Sequence, residues 1–112
     1  MSENGVDNLY PTSNMDLLWE NASPTSSFAA QTLSIDLSGY KSVIGSFKHF
    51  TNDNTQRNYF IQKNGIAHII QTPNVAASST PYRTVSCDNQ GITLNGGSNT
   101  SGAIPIAFYG IK

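Results

Sequence analysis

The sequence predicts an all-β protein, a single β-sandwich of jelly-roll type built from about eight short antiparallel strands. Three observations predict it. Only 12% of the 112 residues are charged, about half the usual share, so the Lys, Glu and Arg that populate exposed helix faces are scarce. Ser, Thr and Asn make up 36 of the residues, and their short polar side chains compete with helical backbone hydrogen bonds while favouring turns. Apolar residues recur at every second position in short runs separated by Gly, Pro and Asn, the period of a strand with one dry face. With 38% hydrophobic residues, including 5 Phe, 5 Tyr and one Trp, the chain can fill one core.

Residues 1–14 hold Gly5, Pro11 and several Asn and Ser with few apolar side chains, the composition of an arm or linker ahead of one domain over 15–112. Leu17, Leu18 and Trp19 mark a first strand, ended by the Ser-rich loop around Pro24. Over 31–37, Leu33, Ile35 and Leu37 alternate with Thr32, Ser34 and Asp36, the clearest strand in the chain. Ser38-Gly39 supplies a turn, and 40–50 resumes as a strand carrying Val43, Ile44, Phe47 and Phe50. Residues 51–55 are a polar loop. Asn64-Gly65 accepts the positive φ of a type I′ turn and predicts a hairpin pairing Ile61 with His68 and Phe60 with Ile69.

Residues 71–81, with two prolines and runs of Ala and Ser, are a long connection of the kind that crosses between sheets. Strands follow at 82–86 and 91–94, then a Gly/Ser/Asn loop over 95–102. The chain closes with a strand at 104–111, where Pro105 calls for an edge or a strand start because it cannot donate to a ladder.

A net charge of -1 and a pI of about 6.0 offer no positive field to gather nucleic acid or anionic lipid, so neither nucleic acid nor membrane is an expected partner. No apolar stretch approaches the roughly 18 residues of a spanning helix, and the first residues lack a signal-peptide pattern. The expected site of synthesis is the cytoplasm, with any exit as part of a larger particle.

Catalytic chemistry finds little purchase. The lone Cys87 cannot close an internal disulfide, and with only His49 and His68 beside it a zinc site lacks ligands, so neither metal nor cofactor is expected. The two histidines read as structural residues, and Cys87, without a basic neighbour in sequence, as an inert thiol. The seven acids are dispersed singly, no Gly-x-Ser-x-Gly elbow occurs, and Asn52-Asp53-Asn54 lacks the carboxylates of a calcium loop. No catalytic residue is assigned, and the expectation is a protein that is not an enzyme. Aromatic side chains are the better candidates for binding. Trp19 has apolar company and reads as core or subunit interface, whereas Tyr59 and Tyr82, beside polar loops and Arg57 and Arg83, are the candidate ligand-binding residues. Their rings offer an apolar face with a polar tip. A low-charge β-domain also exposes strand edges with few Lys or Glu to protect them, which favours a homo-oligomer.

The block Leu18-Trp19-Glu20-Asn21-Ala22-Ser23-Pro24-Thr25-Ser26-Ser27-Phe28-Ala29-Ala30-Gln31-Thr32 and the Leu33-Ser34-Ile35-Asp36-Leu37-Ser38-Gly39-Tyr40 that follows it resemble small structural proteins and distal tail-fibre or baseplate domains of phages and prophages of Gram-positive bacteria. The middle stretch Tyr82-Arg83-Thr84-Val85-Ser86 with Gly91-Ile92-Thr93-Leu94, and the closing Ile104-Pro105-Ile106-Ala107-Phe108-Tyr109-Gly110-Ile111-Lys112, carry the same resemblance. It implies a virion structural protein at the tail tip, baseplate or head fibre, assembled as a homo-oligomer with a trimer favoured, in contact with other virion proteins. Since some such domains bind saccharides of the host cell surface, it also implies an alternative, a carbohydrate-binding module for host recognition.

Overall fold

The computed structural model describes residues 14–51, 53–64, 68–71, 82–95 and 102–112, with 53–55 and 68–71 as backbone only. Among these the chain is all-β, without helix: β1 (Met15–Glu20), β2 (Gln31–Ser34), β3 (Ser42–Phe50), β4 (Asp53–Gln62), β5 (His68–Gln71), β6 (Tyr82–Asp88), β7 (Gly91–Leu94) and β8 (Gly102–Ile111). Two antiparallel sheets result, the first ordered β1-β8-β3-β4 and the second β2-β7-β6-β5.

The period of two accounts for how the sheets meet. In β6, Arg83, Val85 and Cys87 are buried while the residues between them are not. In β3, the parity of Val43, Gly45 and Phe47 points to the core. The first sheet contributes Val43, Phe47, Ile61, Ile104 and Phe108, and the second Leu33, Val85, Cys87, Ile92 and Leu94, to one cluster that Leu37 and Phe28 complete from the connections. Aromatic rings run through it in contact: Phe28 against Trp19 at 5.9 Å, Trp19 against Phe108 at 5.6 Å, Phe108 against Phe47 at 5.8 Å and Phe47 against Tyr59 at 5.7 Å. Most of these are edge-to-face, and each such pair contributes about 0.5–1.5 kcal/mol beyond burial. Gly45 makes the chain of rings possible, because a Cβ there would stand 2.8 Å from both the Phe108 and the Phe47 ring.

Several local expectations are corrected. A rolled antiparallel ribbon of jelly-roll type pairs its first strand with its eighth, second with seventh, third with sixth and fourth with fifth. Here β1–β8 and β2–β7 pair so, but β3–β4 and β5–β6 replace the other two pairings. The cause lies at Asn64. Its φ of 68° is the positive value the turn needed, but its N–H donates to the Cys87 carbonyl at 2.8 Å, which leads the chain into the second sheet. Ile61 therefore pairs with Val43 and Phe60 with Ile44, while His68 pairs with Val85 and Ile69 with Thr84. The crossing between sheets falls here and not over 71–81, since Gln71 pairs with Tyr82 and joins neighbouring strands; residues 72–81 lie outside the described residues.

The polar stretch 51–55 is mostly strand, because Phe50 pairs with Asp53 and an edge strand needs no second dry face. The strand at 31–37 ends its ladder at Ser34, although Ile35 and Leu37 still bond the carbonyls of Gln90 and Asn89. Pro105 sits in β8, an interior strand. It is tolerated there because the register with β3 shifts between Ser46 and Phe47, and because β1 ends its pairing at Ala107. The arm at 1–14 falls outside the described residues except for Asn14, whose carbonyl accepts the Lys112 N–H at 2.9 Å.

The β2–β3 connection is pinned onto the first sheet by Tyr40, which donates to Asp16 Oδ2 at 2.6 Å, while Lys112 Nζ lies 3.4 Å from the same oxygen. The Tyr40 hydrogen bond, more than the nearby Lys112, holds the Asp16 carboxyl below its usual 3.8, and the same bond raises the Tyr40 hydroxyl. A depressed folded value means that this contribution is present above 3.8 and is lost as pH falls through the lower folded value. Tyr40→Phe should therefore lower stability at neutral pH and shrink the further loss on acidification below about pH 4, read by urea denaturation across pH. Packing around glycine gives a second test. A Cβ at Gly91 would lie 2.2 Å from the Leu33 carbonyl oxygen, whereas one at Gly39 meets nothing within 4 Å. Gly91→Ala is expected to cost about 1–3 kcal/mol and Gly39→Ala less than about 0.5 kcal/mol, by the same denaturation measurement.

Candidate contact surface

The four residues singled out for binding do not form one site. Arg57 and Tyr59 share a parity on β4, an edge strand of the first sheet, while Tyr82 and Arg83 lie on opposite faces of β6 in the second. Arg57 is exposed. Tyr59 is half-buried with its ring against Phe47, and burial raises its hydroxyl pKa against the opposing pull of Arg57. Tyr82 remains accessible, with 39% of its surface exposed.

Arg83 is wholly buried, and four of its five N–H donors are taken by backbone carbonyls. Nε donates to the Ala103 carbonyl at 2.9 Å, one terminal nitrogen to Asn95 at 2.8 Å, and the other to Phe28 at 3.0 Å and Gly102 at 3.3 Å. The guanidinium carbon lies 5.3 Å from the Phe28 ring centroid, and burial lowers its pKa. Buried, with four of its five N–H donors spent on carbonyls, the Arg83 fork acts as a structural tie.

The histidines separate likewise, His49 on β3 in the first sheet and His68 on β5 in the second. Among the described residues no group of three or more His, Cys, Asp or Glu could hold a metal ion. Cys87 is buried, its thiol donates to the Gln62 carbonyl at 3.9 Å, and burial, outweighing Lys63, raises its pKa.

What sequence reasoning missed lies on the outer face of the first sheet. Residues of opposite parity to Val43, Phe108 and Ile61 point away from the core, and the registers align four of them in one row: Leu17 opposite Tyr109, Tyr109 opposite Ile44, Ile44 opposite Phe60. The row crosses all four strands. Its ends are exposed, Leu17 at 49% and Phe60 at 58%, and Tyr109 and Ile44 are half-buried. Met15 and Ile111 pair beside it, and Gln56, Asn58 and Gln62 share the face of Phe60 on β4. Ser46 Oγ donates to Gln56 Oε1 at 3.4 Å, and the Lys48 ammonium is drawn onto the Thr51 carbonyl at 3.2 Å. Ser46, Lys48 and Ala107 on this face are buried, which leaves the apolar row, with amides beside it on β4, as its accessible part. A signal was present: in Tyr59-Phe60-Ile61 the period of two cannot bury all three.

Comparison with protein-family models, with curated proteins and with solved structures finds no match.

The role assigned to Arg83 is testable. Arg83→Met fills similar volume but leaves four carbonyls without their donor, and loss of such bonds should lower stability by about 2–4 kcal/mol in chemical denaturation. A loss under about 0.5 kcal/mol would mean that desolvating the charge cancels what its hydrogen bonds contribute.

Proposed function

We propose that the chain is a non-enzymatic structural component of a phage or prophage virion, at the tail tip, baseplate or head fibre, acting through self-assembly and surface contact. The observation that carries this reading is the apolar row across the outer face of the first sheet, since soluble monomers seldom leave such a face to water. The virion assignment draws on the resemblance of 18–40, 82–86, 91–94 and 104–112 to phage structural and tail-fibre domains. The chain is made in the bacterial cytoplasm and carried in the particle. The β1–β8 and β2–β7 pairings support reading the fold as a variant of the jelly roll, with β3–β4 and β5–β6 in place of its two inner pairings.

Quantitative mass spectrometry of gradient-purified particles from an induced lysogen tests it. The chain should co-sediment with the particles at a fixed ratio to a major tail protein, and its absence from them would reject the proposal.

A second reading is favoured by one feature: the Phe60 ring lies on a flat face among Gln56, Asn58 and Gln62, an apolar platform with amides for hydroxyls. As a carbohydrate-binding module the chain would bind host cell-wall saccharides, with Phe60→Ala lowering retention in a cell-wall pull-down if the platform is on this face, and Tyr82→Ala, on the other sheet, lowering it if Tyr82 is the contact instead. Retention unchanged in both variants would remove that reading.

A further inference from the structure

We infer that the outer face of the first sheet is the self-association surface, and that it docks on the same face of a second copy of this chain about a two-fold axis. The inference rests on the self-assembly reading and specifies its contact. Three observations choose the occupant.

The first is symmetry within the row. Leu17 and Phe60 occupy the two edge strands, with Tyr109 and Ile44 between them on β8 and β3. A two-fold axis lying in the interface and running along the strands between β8 and β3 sets Leu17 over Phe60 of the second copy and Tyr109 over its Ile44. Aliphatic side chains thus meet aromatic rings at both ends, and the row is its own complement, as an isologous contact requires.

Charge is the second. Beside the row, Glu20, Ala107, Ser46 and Asn58 align across the sheet, and the same operation places the Glu20 carboxylate against the Asn58 amide of the second copy. The Lys48 ammonium is already held by the Thr51 carbonyl. Two such faces meet without opposed like charges.

Area is the third. Ser46, Lys48 and Ala107 on this face are already buried within the chain, so the free part is the row and its flanks, about 19 Å across four strands and roughly 16 Å along them, and two such faces bury on the order of 600 Å², the size of a weak, transient contact. That size suits a reversible pair rather than an obligate one.

A saccharide is the less fitting occupant, because Leu17 and Ile44 offer neither a flat ring nor a polar atom. The resemblance favours a trimer, whereas this face by its own symmetry makes a pair.

Sedimentation velocity of the full chain, from about micromolar to about a hundred micromolar, tests the inference. Wild type should show a reversible dimer. Phe60→Glu and Leu17→Lys should each weaken it by roughly tenfold or more, with melting temperature unchanged because both side chains are exposed. Within one copy these residues sit at opposite edges of the sheet, about 14 Å apart. Combined in one chain, the two substitutions should restore the dimer to within a few-fold of wild type, because each Lys then meets a Glu across the interface.

A double variant that stays monomeric would overturn the two-fold pairing. A trimer, or an oligomer indifferent to both single substitutions, would overturn this surface while leaving self-assembly standing. A wild-type chain monomeric throughout would remove both, and if Phe60→Glu then abolished cell-wall saccharide binding, the face would belong to a carbohydrate.

Discussion

A buried positive charge without a carboxylate holds this molecule together at one end. Taking the Arg83 guanidinium out of water costs several kcal/mol, and the structure offsets that cost with four carbonyl acceptors and the face of Phe28. The acceptors come from segments that no shared ladder joins: Phe28 in the β1–β2 connection, Asn95 just past β7, Gly102 and Ala103 where β8 begins. One side chain of the second sheet thereby fixes where the central strand of the first sheet starts. Ala103 holds a φ of 49°, a left-handed conformation that costs an alanine about 1–2 kcal/mol. Such a conformation persists where its surroundings over-determine it, and the Arg83 bond to the Ala103 carbonyl is part of that constraint.

The same economy recurs elsewhere. Of six Lys and Arg residues, three direct their cationic groups at backbone carbonyls: Arg83, Lys48 onto Thr51, and Lys63 onto Leu37 at 2.9 Å and Tyr40 at 2.7 Å. Asp16 is taken up by Tyr40 and Lys112. In a chain with few charges to begin with, this use of cations as internal ties leaves broad surfaces without them. Low charge density and an apolar outer face are thus two consequences of one composition.

Local periodicity was legible in the sequence, and partner choice was not. The strand expected at 82–86 is a true strand, extended to Asp88, and its alternation places Arg83 inside with Val85 and Cys87; its charge argued for the surface because arginine is so seldom fully buried. At Asn64 the backbone angle was readable from residue type, but the turn's chemistry specifies only φ, while the Cys87 carbonyl that captures its N–H comes from a strand more than twenty residues later. Residues 51–55 hid a strand because pairing with β3 overrides weak β-propensity at an edge. The outer row was hidden for a related reason. Leu17, Ile44, Phe60 and Tyr109 are far apart in the chain, and only the registers align them.

The two outer faces differ in a way that folding does not require. Both sheets supply one parity to the same core, so the other parity faces out in each. On the second sheet the aligned outward residues are Thr32, Thr93 and Ser86, and the two threonine hydroxyls bond each other at 3.2 Å. The threonine pair satisfies itself, and among the described side chains on that face Tyr82 leaves its ring partly exposed, at 39%. The corresponding row on the first sheet is Leu17, Tyr109, Ile44 and Phe60. Threonine serves a strand as well as isoleucine does, so β-propensity gives no reason to place an exposed phenylalanine and leucine at its two ends, and exposed apolar patches carry an aggregation hazard. The core would fold as well with hydroxyls on both sides. The exposed Leu17 and Phe60 at the two ends of that row are therefore not explained by strand formation alone, and it is on them that the proposed self-association draws.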